Sequence, residues 1–170
     1  MLRIISFLLV ALFTLSACDT PSSGTSSVGA DGQPLPTVYR VRNANKVQFR
    51  MLDSVNSLRQ AAGAGPVVLN AQLNAAAATH SRDMSNQNRP WHFGSDGSSP
   101  IDRVQRAGYA GPMLGETISE TYETELETLA AWMAEPGTRD VLLDKRAVNM
   151  GFSWHQESGG KIWWTLIMGG

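Results

Sequence analysis

The sequence has one cysteine, Cys18, in 170 residues. A single thiol excludes an intrachain disulfide framework and any multi-cysteine metal site. Charge is also sparse. Charged residues make up 17% of the chain and the formal net charge is −1, which removes the bulk attraction that nucleic acid exerts on basic proteins. No block of like charge and no internal repeat stands out. A Gly-x-Ser-x-Gly elbow, a phosphate-binding loop and a dinucleotide fingerprint are all missing. The apolar fraction is 42%, and the low net charge argues against wholesale disorder. The longest apolar run, Ile4 to Leu15, is interrupted only by Ser6 and Thr14. It is too short to cross about 30 Å of hydrocarbon comfortably as a helix.

That run follows Arg3 and reads as the h-region of a secretory signal peptide. It ends in Leu15-Ser16-Ala17-Cys18. The ending resembles the lipobox of bacterial lipoproteins, in which the Cys thiol receives diacylglycerol and the chain is cut just before it. The resemblance implies a signal peptide over 1–17 and a lipid bilayer as partner through acylated Cys18. Each buried acyl methylene contributes about 0.8 kcal/mol, so two or three chains hold a protein effectively permanently. From Asp19 to Thr37 the chain is mostly Ser, Thr, Gly, Pro and Asp. Such a composition cannot bury a core and reads as a tether, with a reach of roughly 25 Å for about 20 residues. We assign 18–43 to the lipidated Cys and tether and 44–170 to one folded domain.

Within the domain, Phe49, Leu52, Val55, Leu58 and Ala62 recur at helical spacing, and Gly63 to Pro66 stop that helix. Asn70 caps a second helix, Ala71 to about Asn88, with Leu73, Ala77, His80 and Met84 on its inner face. His80 on that face reads as a satisfied core histidine. A short helix spans Pro100 to Ala107 and is closed by Gly108. Met113 to Glu120 reads as a strand. Thr124 and Glu127 form a capping box for a helix with Leu126, Leu129 and Met133 inward, broken by Pro136-Gly137. Two alternating segments, Val148 to His155 and Ile162 to Met168, flank a turn at Glu157 to Gly160. Trp132, Trp154, Trp163 and Trp164 crowd this last third and read as core. The element order predicts an α+β fold with a small, mainly antiparallel sheet.

One ordered series remains: Ala76 to Met84, then His92-x-Gly94-x-Asp96-Gly97, Asp102-Arg103, Gly108-Tyr109, Gly115-Glu116, Trp132 to Arg139 and Gly151-Phe152. It resembles the CAP superfamily, or SCP domain, which includes cysteine-rich secretory proteins, venom antigen 5 and plant pathogenesis-related proteins. The resemblance runs from about Val47 to Gly169 and implies a three-layer α-β-α sandwich. It also implies a cavity tetrad of two His and two Glu. His92, Glu116 and Glu135 match three of the four positions. Thr138 stands where the second His is expected. That His is a main ligand in members that hold a divalent cation, and Thr is a poor zinc ligand. No cofactor is therefore certain, and the divalent cation loses its best ligand.

The three matching residues read as a polar clamp tying the loop at 91–97 to a strand and the fourth helix, with a ligand or ion site as the alternative. The resulting expectation is an extracytoplasmic, periplasm-facing lipoprotein of the bacterial cell envelope. It would be a non-catalytic binding or scaffold module, using a cleft near His92, Glu116 and Glu135 to take a small molecule, lipid or envelope component. The competing expectation is a metal-assisted, protease-like hydrolase using the same cleft.

Overall fold

The computed structural model describes Gln33 and residues 38–170 except Thr121. The signal segment and Cys18 lie outside the described residues. Among those described, no helix is long and apolar enough to cross a membrane.

Helix α1 spans Ala44–Ala61 and starts on Asn43, whose side chain accepts from Lys46 N–H. Its buried stripe is Val47, Met51, Val55 and Arg59. This differs from the face expected from sequence: Phe49 is 58% exposed, and the four-residue spacing runs into an arginine. After β1 (Val68–Leu69) comes α2 (Ala71–Gln87), capped by the Asn70 side chain. The expected inner face of α2 is buried in full, together with Ala76 and Ser81. Helix α3 (Pro100–Arg106) begins on a reciprocal Ser99–Asp102 capping box. Strand β2 is Met113–Ser119.

The Thr124–Glu127 capping box starts α4 (Glu125–Ala134) as expected, but the buried residues are Glu125, Thr128, Leu129 and Trp132, and Leu126 is exposed. Pro136 does not end the helical region. It sits in the first turn of α5 (Pro136–Leu143), where its missing N–H costs nothing and its fixed φ suits a helix start. Strands β3 (Asn149–Gln156) and β4 (Ile162–Gly169) form the expected hairpin.

The sheet order is β1-β3-β4-β2. Only β1–β3 is parallel; β3–β4 and β4–β2 are antiparallel. Every residue of β4 is buried, so the alternation seen in its sequence marks one of two covered faces. One face carries Phe152, Trp164, Leu166 and Met168, packed with Met51 and Val55 of α1, Leu129 and Trp132 of α4 and Leu142 of α5. The other carries Ile167, packed with Leu73, Ala76 and Ala77 of α2 and Val104 of α3. Helices therefore cover both sides of the sheet, which is the α-β-α sandwich. Trp132, Trp163 and Trp164 are buried and belong to the core. The residues just before α1 also join the domain, since Tyr39 and Val41 pack on the first core.

Candidate functional site

The site is built where the loop after α2 crosses the sheet. Asp83, one turn before the end of α2, accepts from the Ser95 N–H and hydroxyl at 2.7 and 2.6 Å. Gln87 accepts from Trp91 Nε1 at 2.9 Å. Asp96 holds Arg106 of α3 at 2.6 Å and accepts from Ser98 N–H; these bonds pull its carboxyl far below the usual range, the Ser98 contacts contributing most. The loop is thus pinned to both α2 and α3.

His92 then points Nδ1 at Glu116 Oε1, 2.9 Å away on β2. Glu116 is buried, with its side chain 1% exposed, whereas the His92 side chain is 49% exposed. Buried carboxylates need a cation, and here Arg103 of α3 supplies it. Arg103 Nη2 donates to both oxygens of Glu116, at 3.0 and 2.9 Å. Arg103 Nη1 donates to the carbonyls of His92 and Ser98 at 2.9 and 3.3 Å. Arg103 was legible in the Asp102-Arg103 pair but carried no assigned role. The signal that could have singled it out is physical: a Glu on a strand with two covered faces demands a basic partner.

His80 completes the cluster. Its side chain has no exposed surface, and Nε2 lies 3.7 Å from Glu116 Oε1. Neither ring nitrogen makes a hydrogen bond of normal geometry. It is a core histidine, as its place on α2 suggested, but not a satisfied one. Burial holds its pKa below 6.5, with Glu116 and the nearby Trp91 backbone opposing and Arg103 and His92 reinforcing the shift.

Glu135 and Thr138 make no hydrogen bond or ion pair with this cluster among the described residues. Glu135 occupies the junction of α4 and α5. The Thr138 hydroxyl donates to the carbonyls of Trp132 and Glu135, at 2.5 and 3.2 Å. The structure therefore brings together His92 and Glu116 but links neither of them to Glu135 or Thr138 by a hydrogen bond or ion pair among the described residues. The clamp reaches β2 and α3, not α4. A cleft of about 530 Å3 lies between α2 and α3, lined by Thr79, Asp83, Ser95, Asp96 and Arg106, and it meets the clamp through Arg103 and Ser98.

A divalent cation does not fit these residues. Arg103 already neutralises both Glu116 oxygens, and the Thr138 hydroxyl is turned to main-chain carbonyls.

The fold and the ordered motifs define a three-layer α-β-α sandwich domain. A profile described as CAP, the cysteine-rich secretory protein family, matches residues 52–168, and the chain belongs to this family. Among solved structures, it is similar to an outer surface protein from Borrelia burgdorferi, with 13% identity, TM-score 0.68, and coverage of 78% of this chain and 98% of that one. It is also similar to an extracellular protein containing an SCP domain from Bacillus anthracis, with 20% identity, TM-score 0.65, and coverage of 77% and 45%. A cysteine-rich secretory protein from Staphylococcus aureus gives 14% identity, TM-score 0.61, and coverage of 76% and 40%. A search of curated proteins finds no match.

Proposed function

We propose that this CAP-family chain is a lipid-anchored, extracytoplasmic lipoprotein of the bacterial cell envelope, acting as a non-catalytic binding or scaffold module. The observation that carries the non-catalytic part is the burial of Glu116 in an ion pair with Arg103. Its two oxygens accept from Arg103 and His92, and no nucleophile–base pair adjoins them. A group so held ties three elements together, and with its side chain only 1% exposed it is closed off from solvent water. The extracytoplasmic part is supported by the signal-like start and by the similar outer-surface and extracellular bacterial proteins. The anchor rests on the lipobox-like Leu15 to Cys18.

Labelling with an alkyne palmitate analogue in a bacterial host tests the anchor. Wild type should take the label and Cys18→Ala should not; an unlabelled wild type overturns it. For the site, Glu116→Gln strands the Arg103 charge and should cost about 3–5 kcal/mol of stability. Hydrolysis of a peptide or ester library by the purified chain, abolished in Glu116→Gln, would overturn the non-catalytic reading.

A further inference from the structure

The structure places the end of the tether, a basic cluster and a half-buried Trp packed on an exposed Phe at one end of the sandwich. Val38, where the tether meets the domain, lies over the β3–β4 turn: a Cβ added at Gly160 would collide with Val38 Cγ1. Arg40 donates to the carbonyls of Glu157 and Ser158 in the same turn. Lys161, closing the turn, bonds Asn88 Oδ1 at 3.3 Å, and Asn88 is the C-cap of α2. The next residue, Arg89, stacks its guanidinium 3.8 Å above the Trp91 ring. Trp91 in turn packs on Phe93, with ring centroids 5.6 Å apart. Phe93 is 47% exposed and Val38 41%. Of the two acidic groups here, Glu120 is ion-paired and Glu157 is a carboxylate held by neutral donors, so the guanidiniums of Arg40 and Arg89 outweigh it by one charge. Glu157 accepts from Ser85 and Trp163, which hold its pKa down, and Glu120 pairs with Lys161.

We propose that this turn end of the domain, led by Arg40, Arg89, Trp91 and Phe93, rests against the phospholipid headgroups of the membrane that holds acylated Cys18. The inference rests on the anchored reading above. A short tether raises the effective concentration of the surface at its own exit point, so weak contacts there become effectively intramolecular. Guanidinium groups pair with lipid phosphate, and Trp favours the headgroup level of a bilayer. A Phe left half in water gains by entering that level.

The test uses the mature acylated chain in vesicles of phosphatidylcholine and phosphatidylglycerol. The domain contains no cysteine, so single cysteines can carry a nitroxide. Phe93→Cys and Ser158→Cys report on the turn end, and Lys145→Cys reports on the loop after α5. Protein that floats with the vesicles is measured; failure to float overturns the anchor itself. In floated protein, the labels at 93 and 158 should be shielded from a water-soluble nickel chelate several-fold more than the label at 145. Equal exposure at all three positions overturns the docking inference and leaves the anchor standing.

Discussion

Arg59 has no exposed surface, yet its hydrogen bonds go to no carboxylate. Nε donates to Gly65 O at 2.8 Å, Nη1 to Leu142 O and Asp144 O at 2.8 and 3.0 Å, and Nη2 to Ala147 O at 3.0 Å. One guanidinium thus closes the end of α1, the loop before β1, the end of α5 and the approach to β3. Burial lowers its pKa from the usual arginine value, with Asp144 partly offsetting this, but it remains a cation at any physiological pH. Arg59→Met should cost at least about 3 kcal/mol, because several buried carbonyls lose their donor. Arg59→Lys should recover only part of that, since a compact ammonium cannot span the four oxygens. Urea unfolding of the three proteins checks the order.

His80 gives a pH signature at the same scale. Its folded pKa lies below 6.5 because burial disfavours the cation. As pH falls through 6.5, the unfolded chain takes up a proton that the folded chain refuses. Stability is then full above that pH and is lost as pH falls toward the folded value. His80→Gln should flatten this part of the profile relative to wild type, read as the denaturant midpoint against pH. An unchanged profile would show that His80 does not titrate differently in the two states.

At the scale of elements, Gly151 sets how closely α2 meets the sheet. A Cβ there would collide with the backbone of Leu73, which no side-chain rotation can relieve. Gly151→Ala should therefore push α2 off β3 and cost about 3 kcal/mol or more, at the upper end for overpacking; the melting temperature reports it. The Gly151-Phe152 pair was visible as part of the family series, but its reason lay in a contact 78 residues away in sequence. The same limit explains which elements were legible. Helix α2 and the start of α4 could be read because their caps are local, Asn70 and Thr124 with Glu127, and α3 could be read from Pro100 at its start and Gly108 after its end. The inner face of α1 could not, because hydropathy favours Phe49 over Arg59, and only the four distant carbonyls reverse the order. Helix α5 was hidden by Pro136, which stops one helix and starts the next. At the site, the His92–Glu116 contact was foreseen from motif order, while Arg103 and His80 entered through burial, which local sequence does not reveal.

At the scale of the whole molecule, β4 decides whether the two cores behave as one. Leu166 points into the core shared with α1, α4 and α5, and Ile167 into the core shared with α2 and α3. Both side chains are fully buried, and both belong to a strand hydrogen-bonded on each side, to β3 and β2. Neither core can open without exposing the backbone of the strand that supports the other. The clamp adds a second link, since Glu116 on β2 holds α3 and the loop leaving α2. Leu166→Ala and Ile167→Ala should each cost about 2–5 kcal/mol and should each shift one common transition. Tryptophan fluorescence and far-ultraviolet circular dichroism should move together, with the denaturant slope unchanged. If Ile167→Ala instead split the curve, with α2 and α3 lost before the Trp-rich core, the two sides of the sheet would be separate cooperative units despite the shared strand.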